Sequence, residues 1–144
     1  MKLHESRDRN VDIFHLEDEI DLHYAPALRA LFQAKARRRC PALVVDLSGV
    51  PFIDSTGIAV LLEYLRDATQ FGGRFCLAAP TDHVRHVFEI TRLNEALPIF
   101  ENVSQAVDAA ANNTLPAPAQ RLFDTMTPTK THRTLEPLLA CRAA

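Results

Sequence analysis

The sequence predicts an α/β fold: a mixed, mostly parallel sheet of four to five strands with about four helices, followed by a C-terminal tail. Short apolar runs alternate with longer segments of helical periodicity, as in a sheet that carries helices on its faces. Residues 42–47 are apolar except for one aspartate, which is typical of a central strand covered on both faces. Beyond residue 111 the chain has four prolines, no glycine and no sustained period. We therefore predict a domain over 1–111 and a tail over 112–144 that is flexible or docked on a partner.

The first part of the domain predicts two strands and a helix. Residues 11–16 place apolar side chains on both faces of a strand, and a further strand is expected at 2–6. Pro26 suits the first turn of a helix, because its missing N–H would have no partner there. The helix is predicted to end near Arg39, after a stripe closed by a lysine stem: Leu28, Leu31, Phe32 and Lys35.

The remaining elements alternate in the same way. A second helix is predicted from an apolar stripe that ends at Gly72, and a buried strand follows at 74–79. Thr81 and Asp82 are candidate caps of a third helix. An edge strand is expected at 97–100, and Ser104 is the expected cap of a short last helix.

Composition excludes several classes of function. The formal net charge is −2, so the chain lacks the basic field of a nucleic-acid-binding protein. It has no apolar stretch long enough for a signal core or a membrane span, and its three cysteines lack metal-like spacing, which favours a reduced, cytoplasmic protein. Nucleotide-binding and hydrolase motifs are absent and the six histidines are scattered. We therefore predict no catalytic residue, no metal site and no cofactor.

The four residues Asp54, Ser55, Thr56 and Gly57 join a strand to an apolar helix. The first N–H groups of a helix lack partners, and Asp, Ser or Thr can accept hydrogen bonds from them. Thr56 is the expected cap. Glycine costs about 1 kcal/mol relative to alanine inside a helix. We therefore expect Gly57 to have another role, which is to leave the two hydroxyls open to the active site of another protein.

A phosphate on Ser55 would meet free N–H groups and the positive end of the helix dipole, so the helix would tolerate it. It would also add a charge of about −1.5 to −2 beside Asp54. A partner surface built against a neutral serine would then lose affinity. Residues 54–57 thus predict a phosphorylation switch, with Thr56 as the alternative acceptor.

Three segments resemble the STAS domains of anti-sigma factor antagonists, and together they cover about residues 8–111. They are DLSGVPFIDSTGIAVLL, LEDEIDLHYAPALRAL and HVRHVFEITRLNEALPIFENVSQAV. In that family the first serine of D-S-[ST]-G is the target of a serine kinase, and the match places this role on Ser55. Asp18 and Arg92 stand where the family commonly has glycine, and aspartate is one of the few residues that tolerates a left-handed backbone.

The resemblance implies an anti-sigma factor antagonist that binds an anti-sigma factor of the serine-kinase type when unphosphorylated and thereby releases a sigma factor. Phosphorylation of Ser55 would end the complex, and a serine phosphatase would restore it. The protein is expected to be a monomer or weak dimer. The implied partner-binding residues are Asp21, Asp54, Ser55, Thr56, Gly57, Ala59 and Glu63. Asp21 is equally consistent with a simple helix-capping acid.

Two alternatives use the same residues differently. A STAS domain can also be a structural or regulatory subunit of a stress-signalling assembly or of a lipid-transport complex. A response-regulator receiver would be phosphorylated on an aspartate such as Asp54, but it needs a lysine near its last strand to meet the phosphoryl group. The sequence has no lysine between Lys35 and Lys130, which argues against a receiver.

Overall fold

The computed structural model describes residues 2–115, and within them the chain forms five strands and five helices. The predicted tail lies almost entirely outside these residues. The sheet has the order β1-β2-β3-β4-β5, with β1 antiparallel to β2 and all other pairs parallel. This confirms the predicted α/β fold with its mixed, mostly parallel sheet. In chain order the elements are β1 (Lys2–Asp8), β2 (Val11–Glu17), α1 (Ala25–Arg37), β3 (Ala42–Gly49), α2 (Ser55–Phe71), β4 (Arg74–Ala78), α3 (Asp82–Ile90), α4 (Leu93–Ala96), β5 (Ile99–Phe100) and α5 (Val103–Ala111).

The alternation along β2 divides the protein into two hydrophobic cores. Phe14 and Leu16 belong to the front core, which α1, α2, α3 and α4 cover. Val11 and Ile13 belong to a smaller back core, which α5 covers and which Leu115 extends. Strand β3 is buried on both faces at the centre of the sheet, as its apolar run predicts.

The front core is organised around aromatic rings. Phe32 of α1 stacks on Tyr64 of α2 with ring centroids 5.0 Å apart, and Phe75 of β4 meets both rings edge-on. Such offset and edge-to-face pairs stabilise a core beyond the area they bury. Helices α1 and α2 are thereby fixed side by side on the front of the sheet.

The first helix corrects two details of its prediction. It ends at Arg37 rather than near Arg39. Leu31 was placed on the apolar stripe but is 37% exposed, whereas Leu28 and Phe32 are buried. The buried face of α1 is narrower than the stripe because only part of the helix surface faces the sheet and α2.

Two predicted helix caps are wrong. The Thr81 side chain does not cap α3, because its hydroxyl donates instead to the Val50 carbonyl oxygen at 2.8 Å. Helix α5 is capped by Asn102, whose Oδ1 accepts from the Gln105 amide at 2.9 Å, and Ser104 is already helical. Asparagine is as good a cap as serine, and at Asn102 the backbone is extended, as an N-cap requires.

A partly buried ionic cluster lies at the amino end of the parallel strands. The Lys35 ammonium donates to Asp12 Oδ2 at 2.7 Å and to Glu5 Oε2 at 2.5 Å, which joins α1 to β2 and β1. The Cys40 thiol also donates to Asp12, and burial together with that carboxylate raises the pKa of Cys40 to about 11. We call these four residues the Lys35 cluster. Its polar groups satisfy one another, so it holds three elements together.

Candidate functional site: the amino terminus of the second helix

Helix α2 begins at Ser55 and is capped by Asp54. The Asp54 backbone is extended, and its Oδ1 accepts hydrogen bonds from the amides of Thr56 at 2.9 Å and Gly57 at 3.1 Å. The cap is therefore Asp54, and the expectation that Thr56 caps the helix is wrong. Two of the N–H groups that were expected to be free for a phosphate are already occupied by this carboxylate.

The other oxygen of Asp54 holds the loop that precedes α1. Its Oδ2 accepts from the Leu22 amide at 3.1 Å, across 32 positions of sequence. One carboxylate thus joins two segments of the site. Nothing in the local sequence around Leu22 signals this contact, because it exists only once β2 and β3 lie side by side.

Asp21 organises its own turn. Its Oδ1 accepts from the amides of His23 at 3.0 Å and Tyr24 at 3.2 Å, and its carbonyl oxygen accepts from the Ala25 amide at 2.9 Å. These contacts hold the turn that precedes α1, whose N-cap is Tyr24, so the Asp21 side chain does not cap the helix itself. The side chain is half-buried beside Leu22.

The same loop is joined to the segment between β3 and α2 by an isolated parallel bridge between Ile20 and Ile53. The Ile20 amide donates to the Phe52 carbonyl oxygen at 3.0 Å, and the Asp54 amide donates to the Ile20 carbonyl oxygen at 3.1 Å. The turn leading into this bridge has Asp18 at φ 72°, so aspartate does take the left-handed conformation expected of it. Arg92, the other position where glycine is common, is also left-handed, at φ 62°.

Gly57 is buried, and its role differs from the one predicted. A Cβ atom at this position would lie 2.8 Å from Ile20 Cγ2, 2.8 Å from Ile53 Cγ1 and 3.0 Å from the Ile20 carbonyl oxygen. Real Cβ contacts are not this short. The glycine therefore lets α2 approach the Ile20–Ile53 bridge, and it does not open the hydroxyls to solvent.

Exposure of the two hydroxyls follows from helix geometry. Ser55 is exposed and Thr56 is half-buried. Among residues 2–115 neither hydroxyl makes a hydrogen bond to another protein group. The Thr56 and Gly57 amides, which a hydroxyl could otherwise accept from, already donate to Asp54. Ser55 is thus an unengaged hydroxyl on a rigidly held helix start.

Ala59 and Glu63 continue the same side of α2, and both are half-buried. Glu63 is engaged: its two carboxylate oxygens accept from Arg29 Nε at 2.8 Å and Nη2 at 3.1 Å. This forked pair ties α2 to α1. A protein that docks along this side of α2 would meet a neutralised ion pair instead of a free carboxylate.

Two exposed apolar side chains that sequence reasoning missed lie on the segments that adjoin Asp54. Leu22 is 70% exposed and Phe52 is 37% exposed, and the Phe52 ring stacks on His83 at 5.3 Å between centroids. The acidic turn Glu17–Glu19 beside them is exposed as well. An apolar patch with an acidic border is the ordinary composition of a protein-binding surface. In the sequence, Leu22 within a polar loop was the one sign that an apolar side chain would be exposed here.

Two kinds of feature are absent from the described residues. In the part of the chain that the structure describes, no helix is both long and apolar enough to cross a membrane. Over residues 2–115, no group of three or more His, Cys, Asp or Glu side chains is arranged to hold a metal ion.

Sequence comparison and structure comparison point to the same family. The family model of the STAS domain matches residues 5–106. The anti-sigma F factor antagonist of Paenibacillus polymyxa is 29% identical over 100 residues, which are 69% of this chain and 86% of that protein. An anti-sigma factor antagonist from Mycobacterium paratuberculosis superposes with a TM-score of 0.70 at 28% identity, over 76% of this chain and 92% of that one. The Bacillus cell fate determinant SpoIIAA in its phosphorylated form shares the fold, with a TM-score of 0.60 at 21% identity over 74% and 97% of the two chains.

Proposed function

The chain belongs to the STAS domain family, and from this premise we propose that it is an anti-sigma factor antagonist switched by phosphorylation of Ser55. Unphosphorylated, it binds an anti-sigma factor of the serine-kinase type and so releases a sigma factor in the cytoplasm. The names of its relatives in Paenibacillus and Mycobacterium support the general role. In this cycle of partner switching the protein is ligand and substrate, and it catalyses nothing itself.

The observation that carries the proposal is the exposed Ser55 hydroxyl, which makes no hydrogen bond to another protein group among residues 2–115 and directly follows the Asp54 carboxylate that holds the Leu22 loop. Leu22 and Phe52 offer the area that a partner would bury, and Ser55 would lie inside the same contact. A hydroxyl can be desolvated in such a contact at low cost if the partner supplies one hydrogen bond. A phosphoryl group at the same place cannot.

Asp54 increases the loss of binding free energy that phosphorylation of Ser55 would cause. Its carboxylate already occupies the amides of Thr56 and Gly57, so a phosphoryl group on Ser55 would add a charge of about −1.5 to −2 next to an existing negative charge. A partner in contact with this surface would have to remove water from both negative groups, the phosphoryl group and the Asp54 carboxylate. A loss of about 2.7 kcal/mol of binding free energy weakens binding about 100-fold, which is enough to separate the two proteins.

The chemical step belongs to the kinase. The Ser55 oxygen attacks the γ-phosphorus of ATP, the bond from that phosphorus to the β-phosphate bridging oxygen breaks, ADP leaves, and the serine proton passes to a base of the kinase. A serine phosphatase later transfers the phosphoryl group to water. The helix start tolerates the modification because the positive end of the α2 dipole remains beside it.

The other residues of the proposed interface have different parts. Asp21 and Asp54 shape the loop that presents Leu22, while Thr56 and Ala59 lie on the side of α2 that the partner would cover. Glu63 would contribute through its ion pair with α1. Gly57, which is buried, would act only by allowing α2 its position.

Kinase assays on the full chain with intact-mass detection test the proposal. The chain is incubated with ATP and the anti-sigma kinase encoded nearest to it. The wild type is expected to gain one phosphate, and the Ser55→Ala variant is expected to gain none while retaining binding. Thr56→Ala should still be phosphorylated.

Ser104→Ala is a matched control, because Ser104 is also an exposed serine in the first turn of a helix. If Ser55→Ala is phosphorylated like the wild type, or Ser104→Ala loses the phosphate, the assignment is wrong. If no variant binds the kinase at all, the chain is better explained as a subunit of a stress-signalling or lipid-transport assembly.

A further inference from the structure

The two edges of the sheet differ in length. At one edge lies β5, which has only two residues, and at the other lies β1, which has seven. Within residues 2–115 the backbone hydrogen bonds of β1 go to β2 alone, so the outer side of β1 presents a row of unpaired N–H and C=O groups. A very short edge strand is one way in which proteins prevent sheet edges from pairing, whereas a long edge strand can accept another strand.

Strand β1 is also regular. All seven of its residues pair with β2 in one unbroken register, from Lys2 opposite Glu17 to Asp8 opposite Val11. It contains no proline, and no bulge interrupts its pairing with β2. Proline and bulges are two further devices that block pairing at an edge, and neither protects this one. The strand does carry charged side chains, and their order determines which partner strand fits.

The side chains of β1 alternate between the two faces of the sheet. Glu5 and Arg7 point to the front, where Glu5 accepts a hydrogen bond from Lys35. Ser6 and Asp8 point to the back. The Glu5 and Arg7 side chains are nevertheless 45% and 63% exposed, so both remain accessible to a strand that pairs beyond the edge.

A second copy of β1 is complementary to the first when the two strands pair antiparallel about Ser6. Glu5 of each copy then lies opposite Arg7 of the other copy on the front face, and His4 lies opposite Asp8 on the back face. Each of these pairs occurs twice because the contact has twofold symmetry. Opposite charges that face each other directly stabilise an antiparallel pair, and no like charges meet in residues 4–8 of this register.

The neighbouring registers that keep both front faces on one side of the joined sheet are less favourable. Pairing about Glu5 places the two Glu5 carboxylates directly opposite each other, and pairing about Arg7 does the same with two guanidinium groups. Like charges directly opposite each other destabilise a strand pair. Pairing about His4 brings no opposite charges together. The charge sequence of β1 therefore selects the register centred on Ser6.

We propose that the protein forms a homodimer by antiparallel pairing of its two β1 strands about Ser6, which joins two five-stranded sheets into one sheet of ten strands. Each copy contributes a single strand to the contact, so the buried area is small, the dimer is weak, and its population rises with protein concentration. The start of α2 is not part of the paired strands. The dimer therefore does not depend on the proposed switch at Ser55.

Sedimentation equilibrium of the full chain over a range of concentrations tests the proposal, and a reversible monomer–dimer equilibrium is expected. Arg7→Glu places two like-charged pairs in the contact and should weaken dimerisation by about tenfold or more. Arg66→Glu makes the same charge change at an exposed position of α2, and it should dimerise as the wild type does. Circular dichroism checks that both variants are folded.

Disulfide trapping tests the register. A Cys141→Ser background removes the cysteine that lies outside the described residues, while Cys40 and Cys76 are buried. In this background Ser6→Cys should form a linked dimer on mild oxidation, because residue 6 meets its own copy at the twofold axis. Asp8→Cys should stay monomeric on a denaturing gel, since its two copies would be about 14 Å apart along the strands.

Three results would overturn the proposal. The first is a wild-type chain that sediments as a monomer at every concentration. The second is a dimer that Arg7→Glu leaves unchanged, because the contact would then lie elsewhere on the molecule. The third is disulfide linkage of Asp8→Cys that equals or exceeds that of Ser6→Cys.

Discussion

The two ends of the parallel strands use the same kinds of polar residue for different purposes. At the amino end, the charged groups of the Lys35 cluster pair with one another, and Lys35 and Asp12 are largely buried while Glu5 is exposed. At the carboxyl end, the hydrogen bonds that the Asp54 carboxylate accepts within residues 2–115 all come from backbone amides, and the exposed Ser55 hydroxyl makes no hydrogen bond to another protein group in that range. A polar group that is fully used by the protein stabilises the fold, whereas one that is held in place but unused is available to a partner.

This difference separates stability from binding. Variants at the amino end should change the free energy of unfolding and leave partner binding intact. Variants at the carboxyl end should change binding, and they should change stability only where a cap or a close packing contact is lost.

The largest loss of stability is expected from Lys35→Met. Removing the ammonium takes the nearest cation from both carboxylates and leaves Asp12 with the longer contact to Arg7, 3.5 Å from its Oδ1. Breaking a buried pair costs about 3 kcal/mol, which is the upper bound here because the Glu5 side chain is exposed. Urea unfolding measures the change, with Arg38→Met, an exposed cation at the same end, as the control. A loss below about 1 kcal/mol would mean that the cluster is no stronger than a surface ion pair.

Gly57→Ala should come next, with a loss of about 1–3 kcal/mol from overpacking against Ile20 and Ile53. Phosphorylation of Ser55 should fall as the helix start is displaced. Thr56→Ala, one residue away, should unfold at nearly the wild-type denaturant concentration. A Gly57→Ala protein of wild-type stability but slowed phosphorylation would instead favour the view that the glycine serves access to the hydroxyls.

Asp54→Ala removes a helix cap and should cost about 1 kcal/mol in unfolding free energy. It should also weaken partner binding, because the Leu22 loop loses its hydrogen bond. Asn102→Ala is the matched control, since it removes the same kind of cap from α5, away from the site. Equal effects of the two variants on binding would show that Asp54 acts through general stability alone.

The smallest effect should be the pH dependence of the Lys35 cluster. Burial works against both charges, but the hydrogen bond and charge of Lys35 hold the pKa of Asp12 below 3.8, and its two carboxylate partners raise the pKa of Lys35 above 10.5. The contribution of Asp12 is present above pH 3.8 and is lost as the pH falls through its lowered pKa in the folded protein. That of Lys35 is present below pH 10.5 and is lost as the pH rises through its raised pKa.

Unfolding measured from acid to alkaline pH should therefore show a plateau with a fall in stability at each end. In Lys35→Met the plateau should be lower and both falls smaller, because the lysine that titrates at alkaline pH is gone and Asp12 has lost the cation that lowers its pKa. An unchanged pH profile in that variant would show that the cluster does not carry the dependence.

The fold was largely predictable because its signals are local. The two-sided apolar pattern at 11–16 and the unbroken run at 42–47 define β2 and the central strand from neighbouring residues alone. The position of Ser55 at a helix start follows from the DSTG segment and the apolar stripe after it. The left-handed backbone at Asp18 was likewise expected from residue type.

What could not be predicted depends on contacts between distant segments. The Ile20–Ile53 bridge explains Gly57, and the pairing of β1 with β2 brings His4 to His15, yet neither contact has a local pattern. Capping by Asn102 rather than Ser104 was missed because both residue types cap helices well and only the backbone conformation distinguishes them.

The most direct test of the central claim is the dissociation constant of the anti-sigma factor complex, measured with the unphosphorylated chain and with the chain phosphorylated on Ser55. The proposed switch predicts binding at least about 100-fold weaker after phosphorylation. The far-ultraviolet circular dichroism should stay unchanged, because α2 remains capped by Asp54. Equal dissociation constants for the two forms would contradict the claim that Ser55 lies within the contact.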